Sequence, residues 1–174
     1  MHARLVPGRP APALRFETLG HGAWDLAAAV PPGGTFVVFH RGQFCKWGRN
    51  ALKELDDRIG DFAIRGLRVV ALSADDRATT AKLQEGMQLI RLPLGHSVDA
   101  RALAAAWGVY LTAESPEDGA PALHFEPTLV WVRADGAIGL CCCQSAPNLW
   151  PDATSVLRAI DTTQRFPARG AAPA

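Results

Sequence analysis

Long apolar runs are missing from this sequence. No stretch of about 18 apolar residues occurs, so a membrane-spanning helix is not expected. The opening MHARLVPGRPAPAL also lacks the apolar core of about 7–15 residues that a secretory signal needs. An excess of charge of one sign is missing too: 18 Lys and Arg stand against 17 Asp and Glu, a formal net charge of +1. Binding nucleic acid or an anionic membrane takes clustered cations. The 15 Arg and 3 Lys are scattered, so no nucleic acid and no membrane is expected as a partner. A disulfide framework is absent as well. Of four cysteines, Cys45 stands alone and Cys141, Cys142 and Cys143 are consecutive. Three neighbours cannot bridge one another without strain, and only one distant partner exists. Unpaired thiols fit a reducing compartment, with the cytoplasm as the default. No internal repeat is present.

What is present suits one globular domain: 174 residues, 48% hydrophobic and 20% charged. Residues 1–12 are rich in Pro, Gly and Arg and read as an N-terminal arm. Residues 13–166 form the domain, and 167–174 (PARGAAPA ends it) read as a flexible tail.

Strands and helices alternate along the domain. LRFETL (14–19) and AWDLA (23–27) flank Gly20-His21-Gly22 as a hairpin. TFVVFH (35–40) is a buried strand by its β-branched and aromatic content. A helix starts near Cys45, with Trp47, Ala51, Leu52, Leu55, Ile59 and Phe62 as its apolar face. LRVVALSA (67–74) is the next strand, and Asp75 or Asp76 caps a helix over 77–86. A short strand over 89–92 is expected to end at Pro93. Asp99 caps a helix that carries Leu103, Ala106 and Trp107 and stops at Gly108. Residues 112–125 read as a loop. PTLVWVRADGAIGLCCCQ (127–144) is a strand pair around Ala134-Asp135-Gly136, and 151–166 is a C-terminal amphipathic helix. Interleaved strands and helices argue an α/β sandwich, and the late hairpin makes its sheet mixed.

The chemistry concentrates in VVFHRGQFCKWGRN (37–50), where a strand ends, a turn follows and a cysteine opens a helix. Helix N-termini carry unpaired amides and partial positive charge, which favour a thiolate over a thiol. Arg41 and Arg49 bracket Cys45 and add charge. Open sheets also bind ligands beyond the carboxyl ends of their parallel strands. The plainer reading is a small buried apolar cysteine.

The same stretch resembles the peroxiredoxin-like proteins of the alkyl hydroperoxide reductase/thiol-specific antioxidant family, of the thioredoxin-like superfamily. Phe39-His40-Arg41-Gly42-Gln43-Phe44-Cys45-Lys46-Trp47-Gly48 is similar to the family's Phe-(Tyr/His)-Arg-Gly-x-Trp-Cys-Pro-x-Cys. The likeness extends over about residues 10–160 in five segments. It implies a thioredoxin-like three-layer α/β/α sandwich with a mixed central sheet and an N-terminal β-hairpin. It also implies a thiol-dependent oxidoreductase acting on a small peroxide or disulfide, with an external thiol as reductant and no cofactor. A homodimer stays open.

The motif departs from the family. Gly48 stands at the second cysteine, so no dithiol exchange is confined to the motif. Val38 and Gly42 stand where the peroxiredoxin Pro and Thr would be. The family's later Arg would fall near Glu126-Pro127, which leaves Arg41 as the nearby cation. By resemblance Pro127 is the cis-proline that faces the reactive cysteine, with Glu126 before it. Glu126 would then oppose thiolate formation by its charge. Pro127, Glu126, Trp47 and Phe44 are expected to bind the substrate, with Trp47 as a wall of the thiol.

Alternation places Cys141 and Cys143 on one face of the last strand and Cys142 on the other. In the thioredoxin-like order that strand lies two strands, roughly 9–10 Å, from the active strand, beyond the ~7 Å of a disulfide. Cys143 or Cys141 could resolve Cys45 only after unwinding of the helix start or from another subunit; packing is the plainer role. Three readings follow. The first is an enzyme with Cys45 and Arg41 as its catalytic pair. The second is a thioredoxin-fold protein that has lost catalysis and binds peptide, thiol or metal at the Pro127 groove. The third is a copper or zinc carrier using Cys45, His40 and His124, set against a preferred absence of metal.

Overall fold

The computed structural model describes residues 4–167, 169 and 170. The expectation of a loose tail over 167–174 therefore lies largely outside the described residues. Nine strands and five helices follow in order: β1 Arg15–Thr18, β2 Gly22–Asp25, β3 Gly34–Phe39, α1 Lys46–Asp57, α2 Ile59–Ile64, β4 Leu67–Leu72, α3 Arg77–Met87, β5 Leu94–His96, α4 Ala100–Trp107, β6 Leu111–Ala113, β7 Leu123–Phe125, β8 Thr128–Val132, β9 Ile138–Cys143 and α5 Ala153–Arg165. Seven strands form one sheet in the order β2-β1-β5-β4-β3-β8-β9. β3, β4 and β5 are parallel; β1, β2, β8 and β9 join antiparallel.

Strand alternation sorts the core into two layers. Phe36, Val38, Val69, Ala71, Leu129 and Trp131 face one side and pack on α1, α2, α3 and α5. Val37, Phe39, Val70, Leu72, Val130 and Val132 face the other, under α4. Every residue of β3 is buried. Each large apolar side chain hidden this way contributes about 1.5–3 kcal/mol. The three-layer α/β/α sandwich with a mixed sheet and an N-terminal hairpin is thus borne out.

Several local expectations are corrected. The helix from Cys45 breaks at Arg58, whose N–H reaches back to the Glu54 and Leu55 carbonyls, and α2 begins anew. Trp47 leaves the buried face: it is 44% exposed, with Lys46 Nζ 4.8 Å from its ring centre. The strand expected over 89–92 starts after Pro93 instead. The N–H groups of Arg91 and Leu92 are both taken by the Asp56 carboxylate at 2.7 Å, so they form no ladder. Residues 112–125 are not all loop, because β6 and β7 pair into a separate ribbon. Asp76, not Asp75, caps α3. The N-terminal arm, expected only as an arm, lies against β9: Gly8 N–H bonds the Ile138 carbonyl at 2.7 Å and Ile138 N–H the Arg9 carbonyl at 2.8 Å.

Candidate functional site

β3 and β4 end side by side, and the chain leaves β3 through His40, Arg41 and Gly42. Gly42 has φ of +116°, a value that favours glycine. The turn is clamped from β4's side: Gln43 N–H donates to the Asp75 carboxylate at 2.7 Å. Burial raises Asp75's pKa above its ordinary value, against that bond. Arg49 fastens the other end, donating to the Gln43 carbonyl at 2.7 Å.

Cys45 is the N-cap of α1. Its Sγ accepts from the Gly48 N–H at 3.5 Å, and the residue is 3% exposed. Arg41 Nη1 lies 3.7 Å from the same sulfur. A helix-end amide and a guanidinium thus converge on one sulfur, an arrangement that stabilises negative charge there.

Arg41 is itself buried and held on several sides. Nη1 donates to Glu117 at 3.0 Å, and Nη2 pairs with the same carboxylate. Nη2 also lies 3.2 Å from His124 Nε2, and Nε lies 3.3 Å from Glu126 Oε2. Burial alone would lower Arg41's pKa, but the bonds to Glu117 and Cys45 and the charge of Glu126 raise it above the ordinary value. The same bond holds Glu117 below the usual carboxylate range. Burial and Arg41's charge push His124 down. Because a guanidinium only donates, His124 Nε2 must carry its lone pair, which leaves the imidazole neutral with its proton on Nδ1. Thr112 Oγ1 donates to Glu126 at 2.5 Å.

Most of the candidate residues meet here. Phe44 covers Arg41 (ring centre 5.0 Å from Cζ) and meets His124 edge-on at 5.0 Å. Glu126 does not face Cys45 as a free charge; it is spent on Arg41 and Thr112. Trp47 points to solvent. Pro127 immediately precedes β8, but its peptide bond is trans: no cis bond occurs among the described residues. Trans is the ordinary state of an X–Pro bond. Here Glu126 N–H bonds the Tyr110 carbonyl and the Pro127 carbonyl accepts from Gln144, so the backbone runs on in extended pairing.

Cys143 and Cys141 do not join the site. Cys143 pairs with Thr128, which pairs with Phe39, so two strand spacings separate it from β3. Cys141 packs in the α4 layer and donates to the Leu5 carbonyl at 3.5 Å. Cys142 alone faces the α1 layer and accepts from Gln144. β9 is an edge strand and the three are half-buried, so they do not fill a strand flanked on both sides. Burial raises the pKa of Cys141 and of Cys143. All four cysteines are unpaired.

His40 does not turn to the thiol. Its Nδ1 accepts from Gly42 N–H at 3.2 Å, and full burial pushes its pKa down to about 3. With His124 bound to Arg41, Cys45, His40 and His124 form no donor set. Among the described residues no group of three His, Cys, Asp or Glu side chains is placed to hold a metal ion. Sequence reasoning missed Glu117, Thr112 and the clamp by Asp75. Glu117 sits in the Ser/Pro/Glu/Asp/Gly stretch, where no periodicity marks one carboxylate over another.

Solved structures share this fold at low identity. Peroxiredoxin 6 of Arenicola marina, a cysteine-to-serine mutant, superposes with a TM-score of 0.77 and 18% identity, covering 91% of this chain and 73% of its own. The reduced 2-Cys peroxiredoxin of Plasmodium vivax gives 0.75 at 16% identity, covering 92% and 98%. A yeast mitochondrial 1-Cys peroxiredoxin, described with its thiol resolving mechanism via glutathione/thioredoxin systems, gives 0.70 at 15%, covering 96% and 80%. No curated protein matches this chain in sequence. The AhpC/TSA family model matches residues 7–139, a span that contains the β3–Cys45–α1 turn, Arg41 and the carboxylates around it. The chain therefore belongs to the AhpC/TSA family, the peroxiredoxin-like thiol oxidoreductases of thioredoxin-like fold.

Proposed function

We propose that this chain is a one-cysteine thiol peroxidase. The observation that carries the reading is the convergence of Arg41 Nη1 (3.7 Å) and Gly48 N–H (3.5 Å) on Cys45 Sγ at the start of α1. The Cys45 thiolate attacks the outer oxygen of a hydroperoxide. The S–O bond forms as the O–O bond breaks, and the alcohol or water leaves with a proton. Arg41 stabilises the charge that passes from sulfur to the departing oxygen. The sulfenic acid then condenses with an external thiol, releasing water and forming a mixed disulfide. A second external thiol restores Cys45 and departs as a disulfide. With Gly48 at the local partner's position and Cys141–Cys143 held away, the reductant comes from outside the motif. Oligomeric state does not enter this cycle, and a homodimer is compatible with it. Four free cysteines suit a reducing compartment such as the cytoplasm.

Purified chain with hydrogen peroxide and a thiol donor tests the reading. Wild type consumes peroxide, and Cys45→Ser does not. Equal turnover by both proteins would sink it.

One observation favours a second reading, a binding protein that has lost catalysis. Arg41 is shared by two carboxylates, Glu117 and Glu126, and the thiol is almost covered. Intact wild type without peroxide consumption, but with a retained mixed disulfide to a peptide thiol, would select it.

A further inference from the structure

The groups around Arg41 divide into a fixed back and a detachable front. Glu126 and His124 hold Nε and Nη2 from the buried side; their side chains are 7% and 0% exposed. Glu117 grips the front edge and is 44% exposed. It rides on the segment between β6 and β7. Its own hydrogen bonds other than that to Arg41 stay inside the segment: Ser115 Oγ donates to it at 3.0 Å, and its carbonyl receives the Ala120 N–H. The bond to Arg41 is what ties this carboxylate to the rest of the protein.

Nη1 serves two acceptors at once, Glu117 at 3.0 Å and Cys45 Sγ at 3.7 Å. It is the side-chain donor that reaches the sulfur among the described residues. Nη1 carries two hydrogens, one toward each acceptor, so Glu117 holds the outward N–H beside the sulfur, the one that a ligand arriving at Sγ would use. The charge count points the same way. Glu126 already balances the guanidinium, and His124 is neutral, so Glu117 leaves the closed site with a surplus negative charge beside the thiol.

We propose that Glu117 is a latch: its carboxylate occupies the edge of Arg41 that an incoming oxidant must use, and reaction at Cys45 proceeds once it is displaced. The latch rests on Cys45 being the reacting thiol. It makes Glu117 a residue that sets access and selectivity, with anionic reagents the most strongly excluded. They meet the surplus charge and compete for the same two N–H groups, whereas a neutral reagent meets only the steric part.

Alkylation of reduced protein by iodoacetate (anionic) and iodoacetamide (neutral), read at Cys45 by peptide mass, tests this without peroxidase turnover. Glu117→Ala should raise the iodoacetate-to-iodoacetamide rate ratio by about fivefold, the size of a half-exposed ion pair. Asp118→Asn removes an exposed charge next door and should leave the ratio unchanged. An unchanged ratio in Glu117→Ala, or an equal rise in Asp118→Asn, overturns the latch. If the ratio rises but wild type consumes no peroxide, the latch stands and the peroxidase reading fails. If wild type consumes peroxide but the ratio is unmoved, the reverse holds.

Discussion

Arg41 Nη1 stands 3.7 Å from Cys45 Sγ, four residues further along the same turn. The cation and the thiol are thus positioned by one stretch of chain, and the cation is anchored from behind by Glu126. Anchoring needs several nitrogens in one plane. Arg41→Lys keeps the charge but cannot meet Glu126, His124 and Sγ together. Its expected effect is a fall of about 100-fold in the rate of Cys45 oxidation by peroxide, measured by stopped flow, the cost of one lost charge-stabilising donor. Arg41→Met should also unfold more easily, by about 3–5 kcal/mol in urea melts, because the buried Glu126 carboxylate loses its counter-charge.

Gly42 carries the turn that makes this possible. A Cβ there would stand 2.7 Å from both oxygens of Asp75, at φ +116°. Asp75 is 7% exposed and already bonded to Gln43 N–H, so it has little room to yield. Gly42→Ala is expected to cost about 1–3 kcal/mol in stability. It should also slow alkylation of Cys45, whose N–H bonds the Gly42 carbonyl at 3.3 Å. Native-like urea stability with unchanged alkylation would contradict this account of the turn.

The sheet and most helices were legible in the sequence for local reasons. β3 and β4 carry apolar runs over 36–39 and 69–72, and Asp76 and Asp99 are side-chain caps that announce their helices. The position of Cys45 at a helix start could be read the same way. What could not be read depends on partners far along the chain. Residues 91 and 92 lose their strand pairing to Asp56, some 35 positions earlier. Glu117 meets Arg41 across 76 positions, from a stretch whose composition says only loop. Glu126 was visible as a charge near the thiol, but its neutralisation by Arg41 needed the geometry of two separate segments, the turn after β3 and the link between β7 and β8. The cis form of Pro127 came from family likeness alone, and the trans bond corrects it.

The three consecutive cysteines offer a sharp check on a cycle confined to Cys45. They sit on the edge strand, two strand spacings from β3, and two of them face the opposite layer from α1. A variant with Cys141, Cys142 and Cys143 all changed to Ser should keep wild-type peroxide consumption with an external thiol. Wild type treated with one equivalent of peroxide should gain one oxygen by intact mass. A loss of two hydrogens instead would mean that one of the three does reach Cys45.

Acid should destabilise the protein through His40. The side chain is fully buried, accepts from Gly42 N–H, and has its pKa pushed down to about 3 by loss of solvation, against about 6.5 for an unfolded histidine. Between those values the unfolded chain binds a proton that the folded chain refuses, so stability rises with pH across the window. The contribution is complete above about pH 6.5 and is lost as pH falls toward 3, at about 1.4 kcal/mol per pH unit for one proton. His40→Asn keeps an acceptor for Gly42 and removes the titration. It should lower stability at neutral pH through the volume it leaves empty, yet flatten the acid limb by one proton. Urea melts from pH 7 to 4 on both proteins measure this. Parallel pH dependences would show that His40 titrates alike in the folded and unfolded chain.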